Sequence, residues 1–239
     1  MPTEDLALLR SELEVLWPES GPHARHARQA VIIGANADGC VVLAGGAVPA
    51  GTAHRIEEAV ASDPGAADGS TAPAAVLAAR RHLEDVFPAV EVRHGPSYVI
   101  PPGVTVPDTA GLVRSTDESA AAVVADANPG GWDTQEWAQL VAGELGPWAM
   151  VVVDSEVVSI CHTPRPVSVH GAEAGTWTAP AFRGRGLAAA ATAAWAALLA
   201  PRQVPLFYST SHENLSSQGV AQRLGLRPIG TLWNVEADA

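Results

Sequence analysis

The sequence contains no lysine: all 14 cationic side chains are arginine, set against 26 carboxylates, for a formal net charge of −12. Non-specific binding to nucleic acid or to an anionic membrane needs a dense supply of Lys and Arg, so neither is expected. Cysteine is almost as scarce. Cys40 and Cys161 cannot build a disulfide framework and have no metal-ligand spacing, so no metal is expected and a reducing, cytoplasmic setting is. No basic segment followed by an apolar run opens the chain, so no secretory signal is expected. The longest apolar stretch, the Ala-rich run 187–200, is too short to span a bilayer and reads as a buried helix. Aromatics make up 5% of residues, and seven of them are Trp. With so few large side chains, the core must come from many Ala and Val residues punctuated by Trp.

Three motifs are also missing. No G-x-S-x-G marks a hydrolase, no Gly-Lys-Ser/Thr completes a P-loop, and the Gly pattern at 184–186 is too short for a dinucleotide fingerprint.

What is present organises into two halves. Leu6, Leu9, Leu13 and Leu16 recur at helical spacing behind a Thr3 cap, and Pro18 closes that helix. Residues 30–46 read as two strands around an Asn-Ala-Asp-Gly turn, helices follow near 52–61 and 73–86, and 90–100 is a strand. The segment 101–110 carries three prolines without periodicity and reads as a linker, so residues 1–105 form one α/β domain and 106–239 a second. In the second half, a strand at 111–116 precedes a helix capped by Thr116 and running to about Ala127. Asp133 with Glu136 caps a helix to about Leu145. A hairpin follows around Asp154-Ser155-Glu156, then a strand to Pro180 and a long helix from Gly184 to Ala200. The chain closes with a strand, a helix at 214–224 and a strand pair near 227–235. The class is mixed α/β.

The chemistry concentrates at Arg183-Gly184-Arg185-Gly186-Leu187-Ala188, which follows a strand and a Pro turn and opens the long helix. Glycines there let a ligand approach the backbone. The first-turn N–H groups lack intrahelical partners, and the helix dipole is positive at that end. Together with two guanidinium groups in an acidic protein, these features describe an anion-binding site suited to a pyrophosphate.

Arg183-x-x-Gly186-x-Ala188 resembles the coenzyme A signature R/Q-x-x-G-x-G/A of the GNAT acetyltransferase superfamily. Asn214-x-x-Ser217-x-x-Val220-Ala221-x-Arg223-x-Gly225-Leu226 is similar to the family's N-x-x-A-x-x-L-Y-x-K-x-G-F segment, at the same spacing. The resemblance covers the C-terminal half and implies a GNAT-like domain preceded by a smaller α/β domain. The latter could serve as a degenerate copy of the fold, an acceptor-binding cap or a dimerisation element, the last consistent with a homodimer.

The resemblance further implies acetyl-coenzyme A as cofactor and direct transfer of acetyl to a primary amine. Thr176, Trp177, Thr178, the run Arg183 to Ala188 (including Gly184, Arg185, Gly186 and Leu187) and Asn214 would hold the cofactor. Glu173, on the same strand, is the candidate base; the competing reading is a solvent-facing carboxylate at a strand start. His162 and His212 are runners-up. The family's thiolate-protonating Tyr falls at Ala221, leaving Ser217, Ser216 and Tyr208 as substitutes. Trp132, Trp137, His162 and Tyr208 are candidates to line the acceptor site. Cys161 has no His and carboxylate arranged to activate it, and His23 with His26 lack partners for a metal. A small-molecule amine is the expected acceptor. Protein N-termini or lysines, and a non-catalytic coenzyme A-binding role, are the alternatives.

Overall fold

A computed structural model of the protein describes residues 4–19, 24, 27–65, 69 and 71–237. The Thr3 cap and the His23/His26 pair lie outside the described residues. The chain divides into two compact units: residues 1–99, 209–214 and 228–239 form one, and 100–208 with 215–227 form the other.

In the first unit, α1 (Glu4–Leu16), α2 (Ala50–Ala61) and α3 (Ala74–Glu84) accompany four strands in the order β2-β1-β10-β3. These are β1 (Ala30–Asn36), β2 (Gly39–Ala44), β3 (Val90–Val99) and β10 (Arg227–Ala237). Both faces of β1 are covered, which explains its unbroken apolar run. Val31, Ile33 and Ala35 pack with Ile56, Val76, Leu83, Trp233 and Val235, while Gly34 lies against Leu9 of α1. The Asn-Ala-Asp-Gly turn forms as read: Asn36 Oδ1 accepts from the Asp38 N–H (2.9 Å) and Gly39 takes φ 141°.

The expected strand pair near 227–235 is instead one strand, β10, antiparallel to β1 with Ala30 opposite Glu236 and Ala35 opposite Thr231. Gly230, which suggests a turn, is there because a Cβ would overlap Ala35 O on the neighbouring strand.

The second unit is built on β4 (Leu112–Arg114), β5 (Trp148–Val153), β6 (Glu156–His162) and β8 (Gly175–Thr178), antiparallel in that order, with β7 (Ala172–Glu173) parallel to β9 (Leu206–Ser209). Side-chain alternation separates its two faces. Trp148, Met150 and Ile160 pack under α4 (Ala120–Val124) and α5 (Thr134–Val141). The opposite face carries α6 (Leu187–Leu199), whose Trp195 Nε1 donates to Thr163 Oγ1 at 2.9 Å. Residues Ala189 to Ala196 of α6 are all buried, so the Ala-rich run is an enclosed helix packed through small side chains. The last helix is α7 (Leu215–Leu224).

Three local expectations change. The helix expected from Thr116 shrinks to α4, because Asp117 closes a turn first: its carboxylate accepts from Arg114 N–H (2.8 Å) and its own N–H donates to Arg114 O (3.0 Å). The helix capped by Asp133 forms, with Asp133 Oδ1 accepting from Gln135 and Glu136 N–H, but ends at Val141 ahead of Gly143 at φ 78°. The strand leading to Pro180 is two strands with different partners. Ala172 and Glu173 pair with Leu206 and Phe207, and Ala174 N–H still donates to Phe207 O (3.0 Å). From Gly175 onward the chain pairs with β6 instead, His162 opposite Gly175 and Ser159 opposite Thr178.

Candidate active site

That change of partner leaves β8, among the described residues, paired along one edge only, since it is the outermost strand of its antiparallel set. Its other edge offers main-chain N–H and C=O groups for an extended ligand to use as a strand would. Past β8, Pro180–Phe182 forms a 3-10 turn and Gly184 and Gly186 take φ 77° and 83°, a left-handed conformation that delivers the chain into α6. Helix α6 therefore starts at Leu187, three residues later than Gly184. Gly186 is its N-cap and no side chain caps it, so the N–H groups of its first turn, Leu187 and Ala188 included, remain for an anion.

The arginines around this end divide by position. Arg183 Nε donates to Thr178 O (3.2 Å), and Arg185 Nη2 donates to Ala181 O (3.0 Å) with its guanidinium 4.8 Å over the Phe182 ring. Arg223, at the end of α7, reaches over Gly186, where a Cβ would collide with its Nη1. Arg223 occupies the basic position of the second motif, yet spacing alone assigned it no role. Only folding brings it beside Gly186.

Glu173 is 5% exposed, so the solvent-facing reading does not hold. Its carboxylate contributes to raising both the Tyr208 hydroxyl and the Cys161 thiol. Tyr208, 1% exposed on β9, is raised chiefly by burial. Its hydroxyl lies 2.7 Å from Ser217 Oγ and 3.5 Å from Thr176 Oγ1. The side chains of Thr176 and Ser217 are thereby joined through one phenol. Ala221, the position of the family's Tyr, is fully buried in α7. Cys161 is fully buried and its thiol is pushed up, mainly by burial, which keeps it protonated and un-nucleophilic.

On the opposite face, Trp137 is buried, with its indole N–H donating to Val124 O and Ala125 O. Trp132 is half-buried. Its ring centroid lies 5.6 Å from Trp137, 5.8 Å from His162 and 6.2 Å from Trp177. Burial pulls His162 down to about 4. Being lowered when folded, it binds fewer protons than in the unfolded chain between pH 6.5 and about 4, so its contribution is present above that window and lost as pH falls through it. Melting temperature measured against pH should drop through this window, and His162→Phe should flatten the drop. Asn214 directly precedes α7 and belongs to the first unit, its N–H donating to Ser211 O (3.1 Å). His212, in the same segment, stacks on His94 at 4.8 Å. Ser216 sits beside Ser217 in the first turn of α7.

Among the described residues, no group of three or more His, Cys, Asp or Glu could hold a metal, and no helix is long and apolar enough to cross a membrane.

A family model described as an acetyltransferase (GNAT) domain matches residues 97–227, more than half of the chain. The protein belongs to the GNAT acetyltransferases. Its C-terminal half is the acetyltransferase domain, an α/β fold with a mixed sheet, preceded by an α/β N-terminal region. An acetyltransferase from the GNAT family of Colwellia psychrerythraea is 16% identical, with a TM-score of 0.52 over 98% of this chain and 96% of that one. A putative GNAT acetyltransferase from Novosphingobium aromaticivorans is 22% identical (TM-score 0.45), covering 63% of this chain and 68% of its own. A GCN5-related N-acetyltransferase from Sphaerobacter thermophilus is 17% identical (TM-score 0.47), with 68% and 56% covered. No curated protein matches the sequence.

GNAT enzymes use acetyl-coenzyme A as cosubstrate, and the residues present fit that group. The N-terminus of α6 is uncapped, a Cβ on Gly184 would meet open space, and β8 has an unpaired edge.

Proposed function

We propose that this GNAT enzyme transfers acetyl from acetyl-coenzyme A to the primary amine of a small molecule. The observation that carries the reading is the departure of the chain from β9 at Ala174. It opens one edge of β8 a few residues before an uncapped helix N-terminus.

In this reading, the first-turn N–H groups of α6 hold the pyrophosphate, supported by Arg183, Arg185 and Arg223. The open edge of β8, at Thr176 to Thr178, orients the pantetheine arm. Bound acetyl-coenzyme A supplies the acetyl group as an activated thioester. The main-chain N–H near Thr176 stabilises negative charge on the carbonyl oxygen. Glu173 takes the proton that the amine must lose before it can attack, since an ammonium of pKa about 10 has no lone pair.

Tyr208 keeps its proton at Oη because its pKa is raised by burial. A thiolate of pKa about 8.5 is a weaker base than such a phenolate, so full transfer from Tyr208 is uphill. Its role is hydrogen-bond donation to the departing sulfur, with Ser217 orienting the phenol. A contribution of this kind is worth about 1–3 kcal/mol. Tyr208→Phe is expected to lower kcat about 10- to 100-fold, with coenzyme A affinity unchanged by calorimetry.

Gly186→Val is expected to weaken coenzyme A binding by at least tenfold. It forces a β-branched residue to φ 83° and displaces Arg223. Calorimetry against coenzyme A and pantetheine checks it: the loss should fall on the phosphate-bearing ligand.

The reading itself is tested by incubating the protein with acetyl-coenzyme A and an amine panel while free thiol release is followed. Turnover on small amines supports it. Tight cofactor binding without turnover on any amine points to a non-catalytic binding module, and faster turnover on peptides to a protein acetyltransferase.

A further inference from the structure

Tryptophan is spent in two ways in the second unit. Trp137, Trp148 and Trp195 are at most 3% exposed, and each indole N–H has an acceptor: Val124 O and Ala125 O, Val141 O, and Thr163 Oγ1. Trp132 and Trp177 are half-buried, and neither indole N–H has an acceptor among the described residues. His162 stands with them, its ring 5.8 Å from Trp132 at 80°, and neither of its nitrogens is hydrogen-bonded among the described residues. Buried indoles find a partner for their N–H as a rule. The two half-buried indoles and the imidazole lie outside that rule: their ring nitrogens are not enclosed and stay available to a ligand on an aromatic surface.

The local chain holds this surface in place. Trp132 directly precedes the N-cap Asp133, and Asn128 pins the loop on both sides: its Nδ2 donates to Trp132 O (2.9 Å) and its Oδ1 accepts from Gly130 N–H (2.9 Å). Trp177 is fixed by the β6–β8 register opposite Ile160, and Ser159 Oγ donates to its carbonyl (3.2 Å). Gly175 leaves the space that His162 fills; a Cβ there would stand 2.9 Å from Nε2. The lowering of His162 comes from burial, and no charged neighbour contributes to it.

We propose that Trp132, Trp177 and His162 form the acceptor subsite, and that it selects amines whose body is an uncharged aromatic ring bearing a hydrogen-bonding atom. An aryl- or heteroaryl-alkylamine meets ring faces and edges, two indole donors and a neutral imidazole. An aliphatic amine offers these ring faces and donors no aromatic partner. The inference rests on the acetyl-transfer reading, because Trp177 adjoins Thr176 at the end of β8 assigned to the acetyl group.

The intact protein, without cofactor, is titrated with phenethylamine, tyramine, hexylamine and spermidine while tryptophan fluorescence is recorded. kcat/KM is then measured for each with acetyl-coenzyme A. The aryl amines should perturb the emission and exceed hexylamine and spermidine in kcat/KM by about tenfold, the scale of aromatic pairing beyond simple burial. Trp132→Leu should abolish that preference while coenzyme A affinity stays unchanged and the melting temperature falls only slightly. Trp132→Phe, which retains a ring, should keep most of it. Equal or better turnover of hexylamine or spermidine overturns the proposal, as does an aryl preference that survives Trp132→Leu. Failure of the wild type to bind coenzyme A would instead sink the acetyl-transfer reading, with the fluorescence titration still deciding the subsite.

Discussion

Glu173→Gln is expected to lower kcat/KM for the amine by a factor of about 10² to 10⁴ at pH 7, the range over which a positioned general base operates. The substitution is isosteric and the site is buried in β7, so coenzyme A affinity and melting temperature should hold. The decisive feature is the pH profile. The base is needed because the acceptor is an ammonium at neutral pH. As pH rises towards the amine's own pKa, about 10, the free base becomes abundant and the variant should close the gap on the wild type. A loss of activity independent of pH would show that Glu173 acts through structure instead. It lies buried near Tyr208 and Cys161, whose ionisation its charge opposes.

The second large effect is on stability. Trp148→Ala should cost about 3–5 kcal/mol, the usual range for deleting a fully buried aromatic, against a total for a typical domain of about 5–15 kcal/mol. Trp148 has no exposed surface, its indole N–H donates to Val141 O at 3.3 Å, and its main chain bonds Ser115 on the neighbouring segment. Removing it empties the layer between β5 and α5 and strands the Val141 carbonyl. Chemical denaturation should show a lower midpoint. Trp132, half-buried in the same cluster, should cost far less when truncated.

How much of this was legible in the sequence depends on whether the deciding interaction is local. The turn at Asn36, the cap at Asp133, the hairpin at Asp154-Ser155 and the glycine entry to α6 are set within a few residues, and they were read correctly in kind. The helix N-terminus at Leu187 belongs to this class, because glycines and missing caps announce it. What escaped depends on neighbours distant in the chain. The change of strand partner at Ala174 depends on Leu206, Phe207 and β6, which are distant in the chain, and the adjacent Gly175 does not by itself say which strands are paired. Gly230 looks like a turn until Ala35 is beside it. Arg223 comes beside Gly186 only where α7 crosses it, and the difference in burial between Trp132 and Trp137 goes with which indole finds a carbonyl.

The pairing of β1 with β10 joins Ala30 to Glu236, some two hundred residues apart along the chain. During synthesis the ribosome delivers residues 1–99 long before Trp233 and Val235, which complete the core formed by Ile33, Ile56 and Leu83. For most of translation that apolar surface has no final strand to cover it, and closing so long a loop is slow compared with local folding. The early strands of the first unit emerge long before the strand that completes their core. Fragment 1–105, made alone, should collapse without cooperative unfolding and be prone to association, and a peptide spanning 227–237 supplied in trans should restore a folding transition.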